Sequence, residues 1–126
     1  MLSTGVDILH IPRMKLAIER YGQRLLERCF TAAEIKSCRG HAEEFAARYA
    51  AKEAVSKTLG VGLRIMSPFG IKFHEVEILP DRLGKPHVHL HGQAAQLAQD
   101  QGLTEWSVSL THEKEYAVAF VVATSH

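Results

Sequence analysis

The residues best equipped for chemistry lie in one segment, Glu43-Glu-Phe-Ala-Ala-Arg-Tyr-Ala-Ala-Lys-Glu-Ala-Val-Ser-Lys57. Wound as a helix at 100° per residue, it puts Glu53 on one face with Ala46, Tyr49 and Ala50, and with Ala54 beside them. Alanines around a carboxylate leave space for a ligand to come close to the helix backbone. Arg48 and Lys52 project elsewhere, near Phe45, Val55 and Leu59, so no wide polar face is left for an ordinary surface helix. Charges in such surroundings need partners, because an unpaired buried charge is strongly unfavourable. A purely structural role is open too: Glu53 and Lys57, like Glu44 and Arg48, stand four apart in the order that favours helical ion pairs.

Asp7 is the second candidate, a polar residue in the apolar run Gly5-Val-Asp-Ile-Leu9. Alternation with Val6 and Ile8 permits it to face solvent. Yet a carboxylate on a strand and another on a helix would suit Mg²⁺. That ion takes one or two protein carboxylates, keeps waters and draws other oxygens from substrate phosphate. Spacing alone does not show that Asp7 and Glu53 meet.

Arg13, Arg20 and Arg24, with Arg28 close by, fall within a narrow arc of one continuous helix, next to Met14, Tyr21 and Leu25. Such an arc is either a solvated face or a surface for an acidic protein helix. His87, His89 and His91 share one strand face at a spacing that can chelate zinc, but no Cys or carboxylate nearby completes a recognisable set. His112, in Ser109-Leu-Thr-His-Glu-Lys-Glu115, is placed to contact an anion or move a proton. No Walker A, GxGxxG or GxSxG pattern is present.

The frame for these residues can be read from periodicity. A strand over 2–9 is broken by Pro12, and apolar residues at helical spacing predict one helix from Arg13 to about Cys29. Thr31-Ala-Ala-Glu34 is a capping box opening a short helix that fades near Gly40. A long helix follows from about Ala42 to Leu59, closed by Gly60. Residues 62–70 read as a loop, and 72–79 and 87–91 as strands of a hairpin turning at Gly84. A helix over 92–102 precedes two strands, 106–111 and 116–123. Helices early and strands late predict an α+β fold, with an antiparallel sheet packed on the long central helix.

The chain has 126 residues, 46% of them hydrophobic and 23% charged, so one domain spanning 1–126 is expected. Fifteen Lys+Arg against fourteen Asp+Glu give a net charge of +1, which argues against a surface built to grip nucleic acid. No apolar run is long enough to span a membrane, and no basic segment followed by an apolar run marks a signal peptide. Cys29 and Cys38 form no metal or redox motif and read as reduced thiols, so a cytoplasmic protein is expected.

Taken together and in order, these segments resemble a known family. Gly5-Val-Asp-Ile8, Phe30-Thr-Ala-Ala-Glu34, Arg48-Tyr-Ala-Ala-Lys-Glu-Ala54 with Ser56-Lys57, Gly84-Lys-Pro86 and Ser109-Leu-Thr-His-Glu-Lys-Glu-Tyr116 are similar to holo-[acyl carrier protein] synthase, the short bacterial 4′-phosphopantetheinyl transferase. The resemblance implies transfer of the 4′-phosphopantetheine arm of coenzyme A to a serine of apo acyl carrier protein, with release of adenosine 3′,5′-bisphosphate. It implies Asp7 and Glu53 as Mg²⁺ ligands and catalytic residues, and Lys57 beside the diphosphate of coenzyme A. Arg48 and His112 are implied for the 3′-phosphate, with Lys52 able to share that work. The base that takes the serine proton is either Glu53 or a metal-bound water. Arg13, Arg20 and Arg24 would meet the acidic carrier protein, and a homotrimer with active sites between subunits is implied. Two other classes compete: a non-catalytic module that binds acidic partners through the Arg13/Arg20/Arg24 arc, and a zinc protein built on His87, His89 and His91.

Overall fold

Alanine-rich sequence with strong helix propensity and a left-handed Gly60 (φ 79°) to end it make α4, Ala42–Leu59, the axis of the molecule. The computed structural model describes residues 1–63 and 70–125, so most of the loop expected over 62–70 lies outside the described residues. Before α4 come β1 (Leu2–His10), α1 (Ile11–Tyr21), α2 (Gln23–Cys29) and α3 (Ala32–Cys38). After it come β2 (Val76–Pro80), β3 (Pro86–Leu90), α5 (Gly92–Asp100), β4 (Glu105–His112) and β5 (Tyr116–Thr124). The expected α+β architecture is what forms.

The strands make two antiparallel sheets, one ordered β1-β5-β4 and the other the β2-β3 hairpin. One face of the larger sheet lies on α4, carrying Ala117, Ala119, Val121 and Ala123 of β5, all fully buried. Its opposite face leaves Leu2, Val6, Ile8, Tyr116 and Phe120 exposed. One core cluster fills the space between the second half of α4, the sheets and α5. A second joins α1, α2 and α3 to the first half of α4, around Phe30, Phe45 and Cys38.

Two elements differ from the periodicity. The helix expected over 13–29 is two helices, because Gly22 takes φ 61° and ψ −142°, a conformation that suits glycine. Its N–H closes α1 on the Ile18 carbonyl, and its own carbonyl accepts from Leu25 to start α2. The strand expected from 72 begins only at Val76. Phe73–Glu75 instead forms a 3-10 turn, tightened by the Glu75 carboxylate accepting from the Lys72 N–H at 2.8 Å. The capping box on α3 forms as read: the Glu34 N–H donates to Thr31 Oγ1, and Thr31 N–H to Glu34 Oε1.

Candidate active site

Strand β1 lies close on α4 because residue 5 is glycine. A Cβ there would collide with the Ala54 carbonyl oxygen and with Thr58 Oγ1. Ser3 Oγ ties the same contact by donating to the Thr58 carbonyl at 2.8 Å. The alternation of β1 therefore runs opposite to the solvent-facing option: Gly5, Asp7 and Leu9 turn toward α4, while Val6 and Ile8 point outward. This brings Asp7 to Glu53, two carboxylates far apart in sequence.

Lys57 donates to Asp7 Oδ1 at 2.6 Å and to the Val6 carbonyl at 3.2 Å. The helical pair expected between Glu53 and Lys57 is thus replaced by one across the strand–helix contact. Glu53 has its pKa raised to about 7, first by burial, then by the Asp7 charge and a hydrogen bond shared with Asp7. Lys57 and Arg13 oppose the rise and only partly offset it. Asp7 and Glu53 open onto a cleft of about 340 Å³ walled by Arg13, Met14, Phe30 and Tyr49. The Tyr49 hydroxyl, pushed up to about 12 by burial and by Glu53, stays protonated there.

A second cluster sits on the N-terminal half of α4, about 7.5 Å of helix rise from Arg48 to Glu53. Arg48 is almost fully buried, with one amino group on Glu44 Oε1 at 2.8 Å and the other on Ser37 Oγ at 3.3 Å. Its Nε has no partner among the described residues, so one strong donor is unspent. His112 Nε2 stands 3.7 Å from Glu44 Oε2, which makes Glu44 the bridge between Arg48 and His112. Sequence reasoning assigned Glu44 only a helical pairing role; its four-residue spacing from Arg48 was the available signal.

Lys52 is placed differently from expectation. Its side chain is completely buried, and its ammonium is taken by Glu34 Oε1 at 2.8 Å and the carbonyls of Phe73 and Val76 at 2.9 and 2.6 Å. All three donors are used inside the fold, so Lys52 has none left for a bound phosphate.

The arginine arc divides within α1, between its first turn and its last. Arg13 joins the carboxylate cleft, whereas Arg20, Arg24 and Arg28 line a separate surface groove with Tyr21 and Leu25. The Arg20 guanidinium lies 5.6 Å above the Tyr21 ring. The histidine strand is engaged piecemeal: His87 meets Asp81 at 2.9 Å and His91 meets Glu77 at 3.1 Å. No group of three or more metal-ligating side chains gathers among the described residues. No helix among them is long and apolar enough to cross a membrane.

The family model described as the 4′-phosphopantetheinyl transferase superfamily matches residues 3–121. The chain belongs to that superfamily. It is 48% identical over 124 residues to a holo-[acyl-carrier-protein] synthase of Herpetosiphon aurantiacus, covering 97% of this chain and 98% of that one. A holo-[acyl-carrier-protein] synthase of Geobacter sulfurreducens is 45% identical over 125 residues, covering 97% and 96%. Among solved structures, the Neisseria meningitidis synthase matches with a TM-score of 0.84 at 30% identity, covering 98% of each chain. The Helicobacter pylori synthase in complex with coenzyme A also matches at 0.84, with 27% identity over 96% of this chain and 99% of that one. The protein is therefore a phosphopantetheinyl transferase of the holo-[acyl carrier protein] synthase type, and the non-catalytic and zinc-protein alternatives lose their ground.

Proposed function

We propose that this chain, as one transferase domain over 1–126, moves the 4′-phosphopantetheine group of coenzyme A to a serine hydroxyl of apo acyl carrier protein in a Mg²⁺-dependent reaction. The observation that carries this is the meeting of Asp7 and Glu53 at a cleft in a chain of this superfamily. Two carboxylates crowded together suit a divalent cation, and two protein oxygens are what Mg²⁺ takes when substrate phosphates complete its shell. When bound, the ion offsets negative charge gathering on the diphosphate oxygens during transfer.

The remaining steps fall to side chains. Lys57 is more than half exposed beside Asp7, placed to stabilise the diphosphate. Arg48, with its unspent Nε, and His112 fit the 3′-phosphate, which would displace Glu44 from between them. The serine oxygen attacks the phosphorus that bears the pantetheine arm, its bond to the leaving adenosine 3′,5′-bisphosphate breaks, and the serine proton departs. Glu53, which a cation held beside it would keep ionised, is the acceptor for that proton, directly or through a water. Arg20 and Arg24 form the docking surface for the acidic carrier protein, with Arg13 at the boundary between that surface and the cleft.

The exposed apolar face of the β1-β5-β4 sheet supports association of copies, in keeping with a homotrimer whose sites lie between subunits. Reduced, buried thiols fit a cytoplasmic location. The test is incubation with apo acyl carrier protein, coenzyme A and Mg²⁺, followed by intact mass spectrometry. Gain of one phosphopantetheine group on the acceptor is the expected result.

A further inference from the structure

The Lys52–Glu34 pair lies outside the cleft, yet it sits against the helical turn that carries the acid chemistry. Lys52 spends its three protons on Glu34 Oε1, Phe73 O and Val76 O. Glu34 is equally saturated: Oε1 also accepts from Thr31 N–H at 2.9 Å, and Oε2 accepts from Ile78 N–H at 2.8 Å. Both side chains are fully buried. One ion pair thus binds the start of α3, the middle of α4, the Phe73–Glu75 turn and strand β2.

Stability alone explains this poorly. A buried pair gains little over apolar side chains of equal volume, because both charges are taken out of water. What it does supply is a fixed arrangement, since every bond has a direction. The arrangement reaches the cleft through Phe73. Its carbonyl is held by Lys52, and its ring packs on Tyr49 with centroids 5.3 Å apart. Tyr49 lines the cleft one helical turn before Glu53. We propose that Lys52 and Glu34 are positioning residues for the transfer reaction, a buried clamp that sets the Tyr49–Glu53 turn of α4 without touching either substrate.

The proposal rests on the transferase reading of the Asp7/Glu53 cleft. Its test is the double variant Lys52→Met with Glu34→Gln, which removes both charges while the introduced amide keeps a hydrogen-bonding arm. Thermal unfolding, coenzyme A affinity by calorimetry, and kcat and KM for apo acyl carrier protein are measured on the intact chain. The expected result is a folded protein whose coenzyme A Kd stays within about twofold while kcat falls about tenfold to a hundredfold, the scale of a misplaced catalytic group. An unchanged kcat overturns the proposal. So does a lost coenzyme A affinity at retained kcat, which would make Lys52 a ligand contact.

If the double variant does not fold, Glu34→Asp decides, because it keeps the charge and shortens the arm by one methylene. A fall in kcat at unchanged Kd and melting temperature supports positioning, and an unchanged kcat overturns it. Failure of the transferase reading is told apart from failure of the clamp because the wild-type chain would then form no product.

Discussion

Lys57 gives its ammonium to Asp7 on the neighbouring strand, at 2.6 Å, and not to Glu53 one turn before it on the same helix. The consequence is a carboxylate with a like-charged neighbour and too little compensation. Glu53 is held near pKa 7 by its burial and by that neighbour, and the same crowding invites a cation.

A pH dependence follows for the metal-free protein. Below about 4.5 Glu53 is protonated folded or unfolded and contributes nothing. Between about 4.5 and about 7 the unfolded chain releases the proton while the folded chain keeps it, so stability falls as pH rises. Above about 7 the penalty is constant. Melting temperatures in chelator across this window should decline for the wild type, with the Glu53→Gln variant losing that component. Mg²⁺ should bind more tightly as pH passes through 7, because it competes with the proton.

Gly5→Ala should separate β1 from α4. The added Cβ meets the Ala54 carbonyl, which cannot move without deforming the helix. Overpacking of this kind costs about 1–3 kcal/mol, measurable by urea unfolding. Because the same contact brings Asp7 to Glu53, kcat should fall well beyond what the loss of folded protein explains. A stable variant with normal kcat would show that the close approach is dispensable.

Charge reversal should divide the arginines as the cleft and the surface groove do. Arg20→Glu and Arg24→Glu are expected to raise KM for the carrier protein about tenfold in low salt, less in high salt, with coenzyme A affinity unchanged. Arg13→Glu should also lower kcat, since Arg13 shares the cleft with Glu53. Steady-state kinetics at two ionic strengths checks both.

Ile8→Glu, on the outer face of the sheet, should prevent the association of copies proposed above. Light scattering coupled to gel filtration reads the outcome directly. Retained oligomers would mean that copies meet elsewhere.

Much of the frame was legible because its signals are local. The Thr31/Glu34 box, the Gly60 stop and the hairpin about Gly84 each depend on a few neighbouring residues. Gly22 was not legible, since helical spacing continues on both sides of it and hides a break made by one residue. The direction of Asp7 was concealed by Val6 and Ile8. They are apolar yet exposed, and alternation reads such residues as the buried set. Lys52 was misplaced for a related reason. Helix α4 is buried on nearly every side and has no amphipathic stripe, so its cations give no pattern that separates a ligand contact from an interior pair. That Asp7 meets Glu53 is a tertiary fact, which only the family resemblance anticipated.

The most direct measurement is mass-spectrometric transfer to apo acyl carrier protein by wild type, Asp7→Asn and Glu53→Gln, each with Mg²⁺ and with chelator. The expected result is conversion by wild type with Mg²⁺, none in chelator, and a loss of at least about a hundredfold in two variants that keep their fold. Near-normal transfer by Glu53→Gln, or by wild type in chelator, would contradict a metal-dependent carboxylate pair at the centre of this enzyme.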